Sequence, residues 1–294
     1  MTEHEFTLAD RIAKIKSMNE QYDLESSAYL SFSGGKDSTV LHYLLDEALP
    51  GNKIPRLYLD TGIEYNSVRS FVKGLSEKDS RVVFLPPKKN IKKILEEFGY
   101  PFKSKEHSLY LSVYQKSGVT KTVERYLTRD STFACPKYLK YQFSKDFSLK
   151  VSNKCCKILK KDLAESWAKE NGRSVTITGM RREEGGLRAE IKGCAVFLSG
   201  KLKKFHPLLV VSEGFEDWYV SEREIKLCEL YYPPYNFKRT GCKGCPYNPD
   251  LKNDLLTMAL FFPNERKQCE AIWKPVYEEY RKIGKLPKIR SLFE

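Results

Sequence analysis

Apolar and polar positions along the chain predict a series of βα units. Residues 1–24 carry apolar side chains at helical spacing and predict an N-terminal helix. Residues 40–45 show the same spacing. Short apolar runs bounded by polar residues predict strands at 28–32, 56–59, 82–85 and 175–178. Strands that alternate with helices are typical of an α/β domain.

The pattern is weaker in the rest of the chain. Residues 102–150 are polar, aromatic and poorly periodic, and we interpret them as an insertion. Residues from 250 onward are mostly helical in pattern. We therefore predict an N-terminal helix at 1–24, an α/β domain at 25–240 and a small cysteine-bearing helical lobe at 241–294.

The segment between the first strand and the following helix predicts a phosphate-binding loop. It reads Ser33-Gly34-Gly35-Lys36-Asp37-Ser38. Glycines permit close approach of an anion to backbone N–H groups, and the start of a helix attracts negative charge. The alternative is an ordinary strand-to-helix turn. A Walker A loop is excluded because its glycine and lysine spacing is absent.

Two other strand ends carry polar residues. Asp60-Thr61-Gly62 follows the strand at 56–59, and Arg181, Arg182 and Arg188 follow the strand at 175–178. Ligands of open parallel sheets lie beyond the carboxyl ends of strands. Guanidinium groups suit phosphate or sulfate oxygens. The alternatives are a plain β-turn for the first segment and a solvated arginine loop for the second.

Charge and composition narrow the range of partner molecules that we expect. The 294 residues carry a formal net charge of +13, with 41% hydrophobic and 30% charged residues. This surplus favours nucleic acid or phosphorylated small molecules as partners, the alternative being a solvated lysine-rich surface. No apolar stretch approaches the roughly 18 residues of a membrane span, and no signal peptide pattern is visible. We therefore expect a cytoplasmic protein without a membrane partner.

Two pairs among the 8 cysteines have the spacing of metal ligands. Cys155 and Cys156 are adjacent, and Cys242 and Cys245 form a Cys-x-x-Cys turn. Adjacent side chains diverge, which suits separate corners of a [4Fe–4S] cluster better than one tetrahedral zinc. Structural zinc or buried thiols are the alternatives. We expect the remaining cysteines to be small core residues: Cys135, Cys194, Cys228 and Cys269.

These motifs, in this order, resemble the phosphoadenylyl-sulfate and adenylyl-sulfate reductase family of the PP-loop ATP pyrophosphatases. The resemblance covers roughly residues 25–250. It rests on Ser33–Ser38, Leu59–Gly62, Lys154–Cys156, Thr178–Arg182, Pro207-Leu208, Trp218, Pro233–Asn236 and Gly241–Cys245. It implies a doubly wound, mostly parallel sheet of the adenine nucleotide α-hydrolase-like type.

The resemblance also implies cofactors and site residues. The nucleotide would be ATP, adenylyl sulfate or phosphoadenylyl sulfate, with Mg²⁺ bridging a triphosphate through Asp37 or Asp60. Lys36 and Asp37 would be catalytic. The nucleotide would be bound by Ser33, Gly34, Gly35, Lys36, Asp37, Ser38, Asp60, Thr61, Gly62, Arg181 and Arg182. The cluster ligands would be Cys155, Cys156, Cys242 and Cys245.

One departure bears on the chemistry. Reductases of this family carry a C-terminal Glu-Cys-Gly-Leu-His segment, whereas residues 284–294 contain no cysteine. This counts against conventional reductase activity, unless another protein supplies the thiol. Relatives with this profile resemble sulfur-inserting ATP pyrophosphatases, including those of DNA phosphorothioation. Sulfonucleotide reduction, adenylation-dependent sulfur transfer from a donor protein, a non-catalytic nucleic-acid-binding module and a zinc-stabilised scaffold therefore stay open.

Overall fold

The computed structural model describes residues 1–131, 133–185 and 188–287. Gly186 and Leu187 of the arginine segment, and residues 288–294 of the predicted C-terminal lobe, lie outside the described residues. Within the described residues, no helix has the length and apolar character required to cross a lipid bilayer.

Six strands form one mixed sheet in the order β3-β2-β1-β4-β6-β5. Their bounds are β1 Ala28–Phe32, β2 Arg56–Leu59, β3 Val82–Leu85, β4 Val175–Ile177, β5 Ala195–Leu198 and β6 Lys201–Phe205. The pairs among the first five positions of this order are parallel, and β5 is antiparallel to β6. The predicted α/β, mostly parallel fold is confirmed.

Twelve α-helices complete the described structure. Their bounds are α1 Glu3–Tyr22, α2 Leu24–Ser27, α3 Lys36–Ala48, α4 Asn66–Ser76, α5 Ile91–Phe98, α6 Lys105–Ser117, α7 Lys121–Thr128, α8 Asp162–Glu170, α9 Glu213–Glu222, α10 Leu251–Phe261, α11 Pro263–Ile272 and α12 Lys274–Lys282. A π-helical turn at Lys157–Lys161 precedes α8.

The chain divides into two compact units. The first comprises Met1–Asp60, Asn66–Pro86 and Leu163–Thr240, and it contains the whole sheet. The second comprises Thr61–Tyr65, Pro87–Asp162 and the residues from Gly241 onward. The domain boundaries predicted from the sequence, at residues 24 and 240, stay predictions.

The central strand β1 has helices on both faces. Successive side chains of a strand point to opposite faces of the sheet. The Phe32 ring lies 5.9 Å from His42 of α3, whereas the Tyr29 ring lies 5.7 Å from Trp167 of α8. Leu30 between them is fully buried. This alternation places α3 and α8 on opposite faces, as a doubly wound sheet requires.

The segment predicted as an irregular insertion is more regular than expected. It contains α6 and α7, whose N-termini are capped by the hydroxyls of Ser104 and Thr120. The buried face of α6 carries His107 and Ser108 beside Leu111. Because two of these buried residues are polar, the apolar periodicity that identifies a helix is missing from the sequence.

Candidate functional site

The predicted phosphate-binding loop lies in the first unit, between the end of β1 and the start of α3. Gly34 has a φ of +71°, and a Cβ there would lie 2.5 Å from Val72 and 3.1 Å from Val68 of α4. A Cβ on Gly35 would lie 3.2 Å from the Tyr231 hydroxyl. Any larger residue at Gly34 would therefore strain the backbone and clash with α4.

Hydroxyl groups fix the shape of this loop. The Ser33 and Ser38 hydroxyls lie 3.0 Å apart. Ser38 and Thr39 both donate to the Gly35 carbonyl, at 2.9 and 3.0 Å. The first amides of a helix have no acceptor within the helix. The loop therefore holds the N-terminus of α3, including the Asp37 amide, in a defined position for an anion.

Tyr231 contacts the loop, and the sequence did not identify it as part of the site. The Lys36 amide donates to its hydroxyl at 3.0 Å, and this hydroxyl lies 2.8 Å from that of Thr240. Burial raises the pKa of Tyr231 to about 12, so the phenol stays neutral. Tyr231 occupies one of the amides that an anion could otherwise contact.

The Lys36 side chain faces acidic residues of α9. Its ammonium group forms an ion pair with Asp217 and lies 3.7 Å from Glu213. The Lys36 side chain is 14% exposed, whereas both carboxylates are largely exposed. Lys36 is thus placed at the loop with its charge balanced by groups that solvent can reach.

Arg181 meets two carboxyls beside the loop. Its Nε lies 3.4 Å from Asp37 and 3.1 Å from Glu216, and its Nη1 lies 2.8 Å from Glu183. Burial, reinforced by the charge of Asp37, raises the pKa of Glu216 to about 9. Arg181 and Asp37, both predicted to bind the nucleotide, therefore lie in contact with each other, and Glu216 is an addition that the sequence did not suggest. Nucleotide binding by Arg181 and Asp37 stays a prediction.

The other arginines of this segment have different partners from those of Arg181. Arg182 donates to the Ile191 carbonyl at 2.9 Å. Arg188 and Arg239 both form ion pairs with Glu184. Burial lowers the pKa of Arg188, and the neighbouring Arg239 adds to this effect. A role for Arg182 in nucleotide binding stays a prediction, and Arg239 is a further cation of this cluster.

Contacts at the second predicted strand end are local. Asp60 is nearly buried and forms a 2.8 Å ion pair with Arg69. In the second unit, the Thr61 amide and hydroxyl donate to Glu64 at 2.9 and 2.7 Å. Gly62 has a φ of +74°, which favours glycine. Nucleotide binding by these three predicted residues stays a prediction.

The four predicted cluster ligands all lie in the second unit. Cys155 and Cys156 begin the helical segment that continues into the π-helical turn. Cys242 and Cys245 lie in a turn closed by a 3.2 Å hydrogen bond from the Cys245 amide to the Cys242 carbonyl. Burial raises the pKa of Cys155, and the charges of the other three thiols raise it further. The four thiols therefore interact as one group.

Gly244 fixes the turn between the last two cysteines. Its φ is +63°, and a Cβ there would lie 2.5 Å from the Tyr277 hydroxyl and 2.7 Å from the sulfur of Cys269. Tyr277 donates a hydrogen bond to the Gly244 carbonyl. The second cysteine pair is therefore held against α11 and α12 by close packing.

The distances between the cysteine sulfurs bear on which metal centre these residues could hold. Within the described residues, no three cysteine sulfurs lie within 4.8 Å of one another. A tetrahedral zinc with Zn–S bonds of about 2.3 Å needs sulfurs about 3.8 Å apart. In a cubane each thiolate binds its own iron, so the sulfurs lie further apart. The sulfur spacing therefore does not match a preformed tetrahedral zinc site, and a [4Fe–4S] cluster at these cysteines stays a prediction.

Lys160 is a cation beside these thiols that the sequence analysis missed. Its ammonium group lies 3.8 Å from Glu64. The charge of Cys242 raises the pKa of Lys160. Lys160 lies four residues after Cys156 in the helical segment, a spacing that could have indicated a shared face.

A comparison with models of known protein families shows which family the chain belongs to. The model of the phosphoadenosine phosphosulfate reductase domain matches residues 27–135 and 119–248. These segments span most of the chain and all the motifs described above. The chain belongs to this family. No curated protein matches it significantly.

Solved structures similar to this member of the phosphoadenosine phosphosulfate reductase domain family are remote. A phosphoadenylyl-sulfate reductase from Candida auris in complex with phosphate is 14% identical, with coverage of 74% of this chain and 81% of that chain and a TM-score of 0.43. The FMN adenylyltransferase of Candida glabrata is 13% identical, with coverage of 79% and 62% and a TM-score of 0.46.

A third solved structure is the U34-tRNA thiolase NcsA from Methanococcus maripaludis, with its [4Fe–4S] cluster. It is 14% identical, with coverage of 96% of this chain and 80% of that chain and a TM-score of 0.43.

Three of the remaining cysteines of this family member are poor nucleophiles. Burial raises the pKa of Cys135 and Cys228 to about 11 and that of Cys269 to about 12. A nucleophilic thiol needs exposure and a lowered pKa. Cys194 is only partly exposed. These positions agree with the expected packing role for Cys135, Cys228 and Cys269.

Within the described residues, one group of three side chains has ligand atoms close enough together to share a metal ion: His42, Asp46 and Asp79. Arg81 donates to both carboxylates at 2.7 to 2.9 Å, and Arg56 donates to Asp46 at 2.7 Å. The two guanidiniums already balance the two carboxylates, so an added cation would be repelled. We interpret this group as a structural ion-pair network.

Proposed function

We propose that the protein binds an adenylyl nucleotide at the loop of residues 33–38 and a [4Fe–4S] cluster at its four paired cysteines, and that it acts in sulfur metabolism. The convergence of Cys155, Cys156, Cys242 and Cys245 in one unit carries this proposal. Membership of the phosphoadenosine phosphosulfate reductase domain family supports the nucleotide part.

The loop residues have distinct roles in this proposal. Backbone amides at the start of α3 and the Lys36 ammonium group bind the phosphate oxygens of the nucleotide. Negative charge grows on pyrophosphate as it leaves the α-phosphorus of ATP, and Lys36 stabilises that charge. Arg181 orients the same phosphates through its guanidinium group. Asp37 holds Arg181 in place before the nucleotide binds.

The cysteines hold the cluster as thiolates. Burial raises the pKa of Cys245 to about 12, so a bound cluster is needed to keep these sulfurs deprotonated. Lys160 offsets part of the thiolate charge through its electrostatic interaction with Cys242. When bound, the cluster supplies iron sites for electron transfer or for binding sulfur.

Of the two chemistries, the thiols favour adenylation-dependent sulfur transfer. Reduction of a sulfonucleotide requires a thiolate that attacks sulfur and forms a thiosulfonate. Outside the paired cysteines, Cys135, Cys228 and Cys269 are buried thiols with raised pKa values, which makes them unsuited to this attack. In the alternative, an acceptor oxygen attacks the α-phosphorus of ATP and releases pyrophosphate. A sulfur donor then attacks the acceptor and displaces AMP together with that oxygen.

The reaction products distinguish adenylation from reduction. Protein purified without oxygen is incubated with ATP or adenylyl sulfate, with and without thioredoxin. Release of pyrophosphate and AMP from ATP supports adenylation, whereas sulfite from adenylyl sulfate indicates reduction. Iron and sulfide are counted on the same sample. Absence of both products and of iron would contradict the proposal.

A nucleic acid is the second candidate, either as the sulfur acceptor of an enzyme or as the ligand of a non-catalytic module. The net charge is +13, and α5 and the residues before it carry exposed lysines: Lys88, Lys89, Lys92 and Lys93. Such clusters bind phosphodiesters with strong salt dependence. Binding to tRNA and duplex DNA, measured over a salt series, tests this candidate. Turnover of ATP that depends on added nucleic acid would identify an acceptor, and binding without turnover would identify the module.

A further inference from the structure

The positive charge of the chain is concentrated in one stretch of the second unit. Residues 87–162 carry 18 of the 51 Lys and Arg residues but only 7 of the 38 Asp and Glu residues. This stretch therefore accounts for +11 of the formal net charge of +13, and all of it belongs to the second unit. Charge that is distributed so unevenly attracts a polyanion to one part of the surface.

A 3₁₀ helix at Lys137–Gln142 presents some of this charge together with aromatic rings. A 3₁₀ helix has three residues per turn, so residues i and i+3 lie one above the other, about 6 Å apart along the axis. Lys137 and Lys140 form one exposed row. Tyr138 and Tyr141, which are 55% and 46% exposed, form a second row. The helix therefore carries a cationic row beside an aromatic row.

The surroundings of this helix hold both rows in place. Gln142, in its third row, is fully buried, and its side-chain oxygen lies 2.8 Å from Nε2 of His107 in α6. The Tyr141 hydroxyl donates a hydrogen bond to Glu279 of α12, and the Phe147 ring lies edge-on to the Tyr141 ring at 6.0 Å. A ring that is already fixed loses little conformational entropy when a ligand stacks on it.

A cavity of about 830 Å³ adjoins Tyr141 in the same unit. Three aromatic rings line it, those of Tyr100, Tyr141 and Phe147. Among its described lining residues, carboxylates outnumber ammonium groups by three to two. Such a lining disfavours a phosphate group. It suits a nucleobase, which stacks on aromatic rings and donates hydrogen bonds from its amino group to carboxylates.

We propose that the 3₁₀ helix and this cavity form a binding surface for an unpaired stretch of polynucleotide. The phosphates lie along Lys137 and Lys140, one base stacks on Tyr138, and another enters the cavity beside Tyr141. Only unpaired bases fit this surface, because the bases of a duplex are stacked on one another and cannot reach aromatic side chains. The inference rests on the second candidate of the proposed function and deepens it, since it names the surface and the form of the nucleic acid.

The competing interpretation is a solvated lysine-rich surface whose tyrosines serve only for packing. It predicts that charge alone drives binding, so that a duplex and a single strand bind alike. Stacking and charge can be measured separately. Loss of a ring lowers affinity at every salt concentration, whereas loss of a phosphate contact changes the salt dependence.

Binding of fluorescent oligonucleotides over a salt series provides the test. The full-length protein is titrated with an unstructured strand, as RNA and as DNA, and with a blunt DNA duplex of the same length. We expect the single strands to bind about tenfold or more tighter than the duplex. A tighter complex with RNA or with DNA identifies the sugar, and either supports the proposal.

Variants assign the binding to this surface. Tyr138→Ala and Tyr141→Ala should each weaken single-strand binding by about tenfold without changing the salt dependence. Tyr141→Phe keeps the ring and should keep the affinity. Lys137→Ala combined with Lys140→Ala should reduce the slope of log affinity against log salt by about 1.4, since each phosphate contact of a single strand contributes about 0.7.

The first unit supplies matched controls. Phe6→Ala removes a ring that is 67% exposed on α1. Lys73→Ala combined with Lys78→Ala removes two exposed ammonium groups. Both changes should leave the affinity for the single strand and its salt dependence close to those of the wild type.

The outcomes distinguish this inference from the proposed function. Wild-type affinity in both tyrosine variants, duplex binding as tight as single-strand binding, or binding of phosphatidylserine vesicles in place of oligonucleotides would overturn the surface. Iron content and pyrophosphate release, measured on the same samples, would then still decide the nucleotide and cluster sites. Single-strand binding that depends on these residues, in a protein without iron or ATP turnover, would support the surface and count against the proposed enzyme. Should Tyr141→Ala unfold, the more exposed Tyr138 supplies the test.

Discussion

The backbone of Gly179 lies against Asp37 so closely that a Cβ at residue 179 would come within 2.7 Å of the Asp37 carbonyl oxygen. The segment after β4 is thereby in contact with the first turn of α3. Gly179→Ala should push this turn outward and lower the affinity for ATP by about tenfold or more, because small displacements of binding groups have large effects. Calorimetric titration with a non-hydrolysable ATP analogue measures the change.

Gly74→Ala is the matched control for this substitution. A Cβ at Gly74, in α4, would meet no atom within 4 Å. Replacing a helical glycine by alanine should stabilise the protein by up to about 1 kcal/mol and leave nucleotide affinity unchanged. Equal affinity in Gly179→Ala and Gly74→Ala would show that the contact with Asp37 does not matter for binding.

Lys36→Met should lower the rate of pyrophosphate release by about a hundredfold or more, since it removes a cation from the position of developing charge. Its ion pairs are with exposed carboxylates, which contribute little to stability, so the melting temperature should hardly change. Lys16→Met, on an exposed position of α1, makes the same chemical change away from the loop. Unchanged turnover in Lys36→Met would exclude Lys36 from the chemistry.

Cys242→Ser and Cys155→Ser should each lose most of the bound iron, together with the broad visible absorption of the cluster. Loss of one of four thiolates leaves one iron without its protein ligand. Cys194→Ser lies outside the paired cysteines and should keep the wild-type iron content. Iron and sulfide analysis after anaerobic purification provides the comparison. Zinc in place of iron in the wild-type protein would contradict this prediction.

Stability should fall as the pH drops from about 6.5 to about 4. Burial lowers the pKa of His42, His107 and His206 from 6.5 to about 4 in the folded protein. In this window the unfolded chain binds more protons than the folded one, so the free energy of unfolding falls with pH. Each histidine contributes up to about 3 kcal/mol of this change.

His206→Asn isolates one of these contributions. Asparagine can replace the contact of 2.7 Å between His206 Nδ1 and the Thr178 hydroxyl, but it does not titrate. The melting temperature of this variant should depend less steeply on pH than that of the wild type. Parallel curves for the two proteins between pH 6.5 and 4 would show that His206 is accessible to protons in the folded state.

The sequence predicted the central strands well and the sheet edge poorly. The strands at 28–32, 56–59 and 82–85 are continuous apolar runs, as expected of buried parallel strands, and the structure confirms them. Strand β6 is not among the strands predicted from the sequence. Leu202 and Phe205 are buried, whereas Lys201 before them and Lys204 between them are exposed. Its pairing with β4 and β5, which the sequence does not encode locally, makes it a strand.

The candidate site also contains some residues that the sequence predicts and others that only the structure reveals. The loop glycines and the paired cysteines are conspicuous in the sequence because backbone geometry and metal ligation demand particular residues. Glu216 and Tyr231 carry no such signal, and Lys160 carries only its spacing of four residues from Cys156. Glu216 lies on a helix with other acidic residues, and only the packed structure shows that it is buried whereas its neighbours Glu213 and Asp217 are exposed. Such roles depend on tertiary contacts between distant segments.

The π-helical turn after the adjacent cysteines also constrains how this protein can change. The Asp162 amide donates to the Lys157 carbonyl, five residues back instead of four, so the segment holds one residue more than a regular helix would. Deleting a single residue here would restore ideal helical geometry, yet it would rotate Cys155 and Cys156 by about 100° relative to α8. A shorter, more regular helix at this point would therefore misdirect two of the proposed cluster ligands, and improved local regularity would come with loss of the proposed cluster.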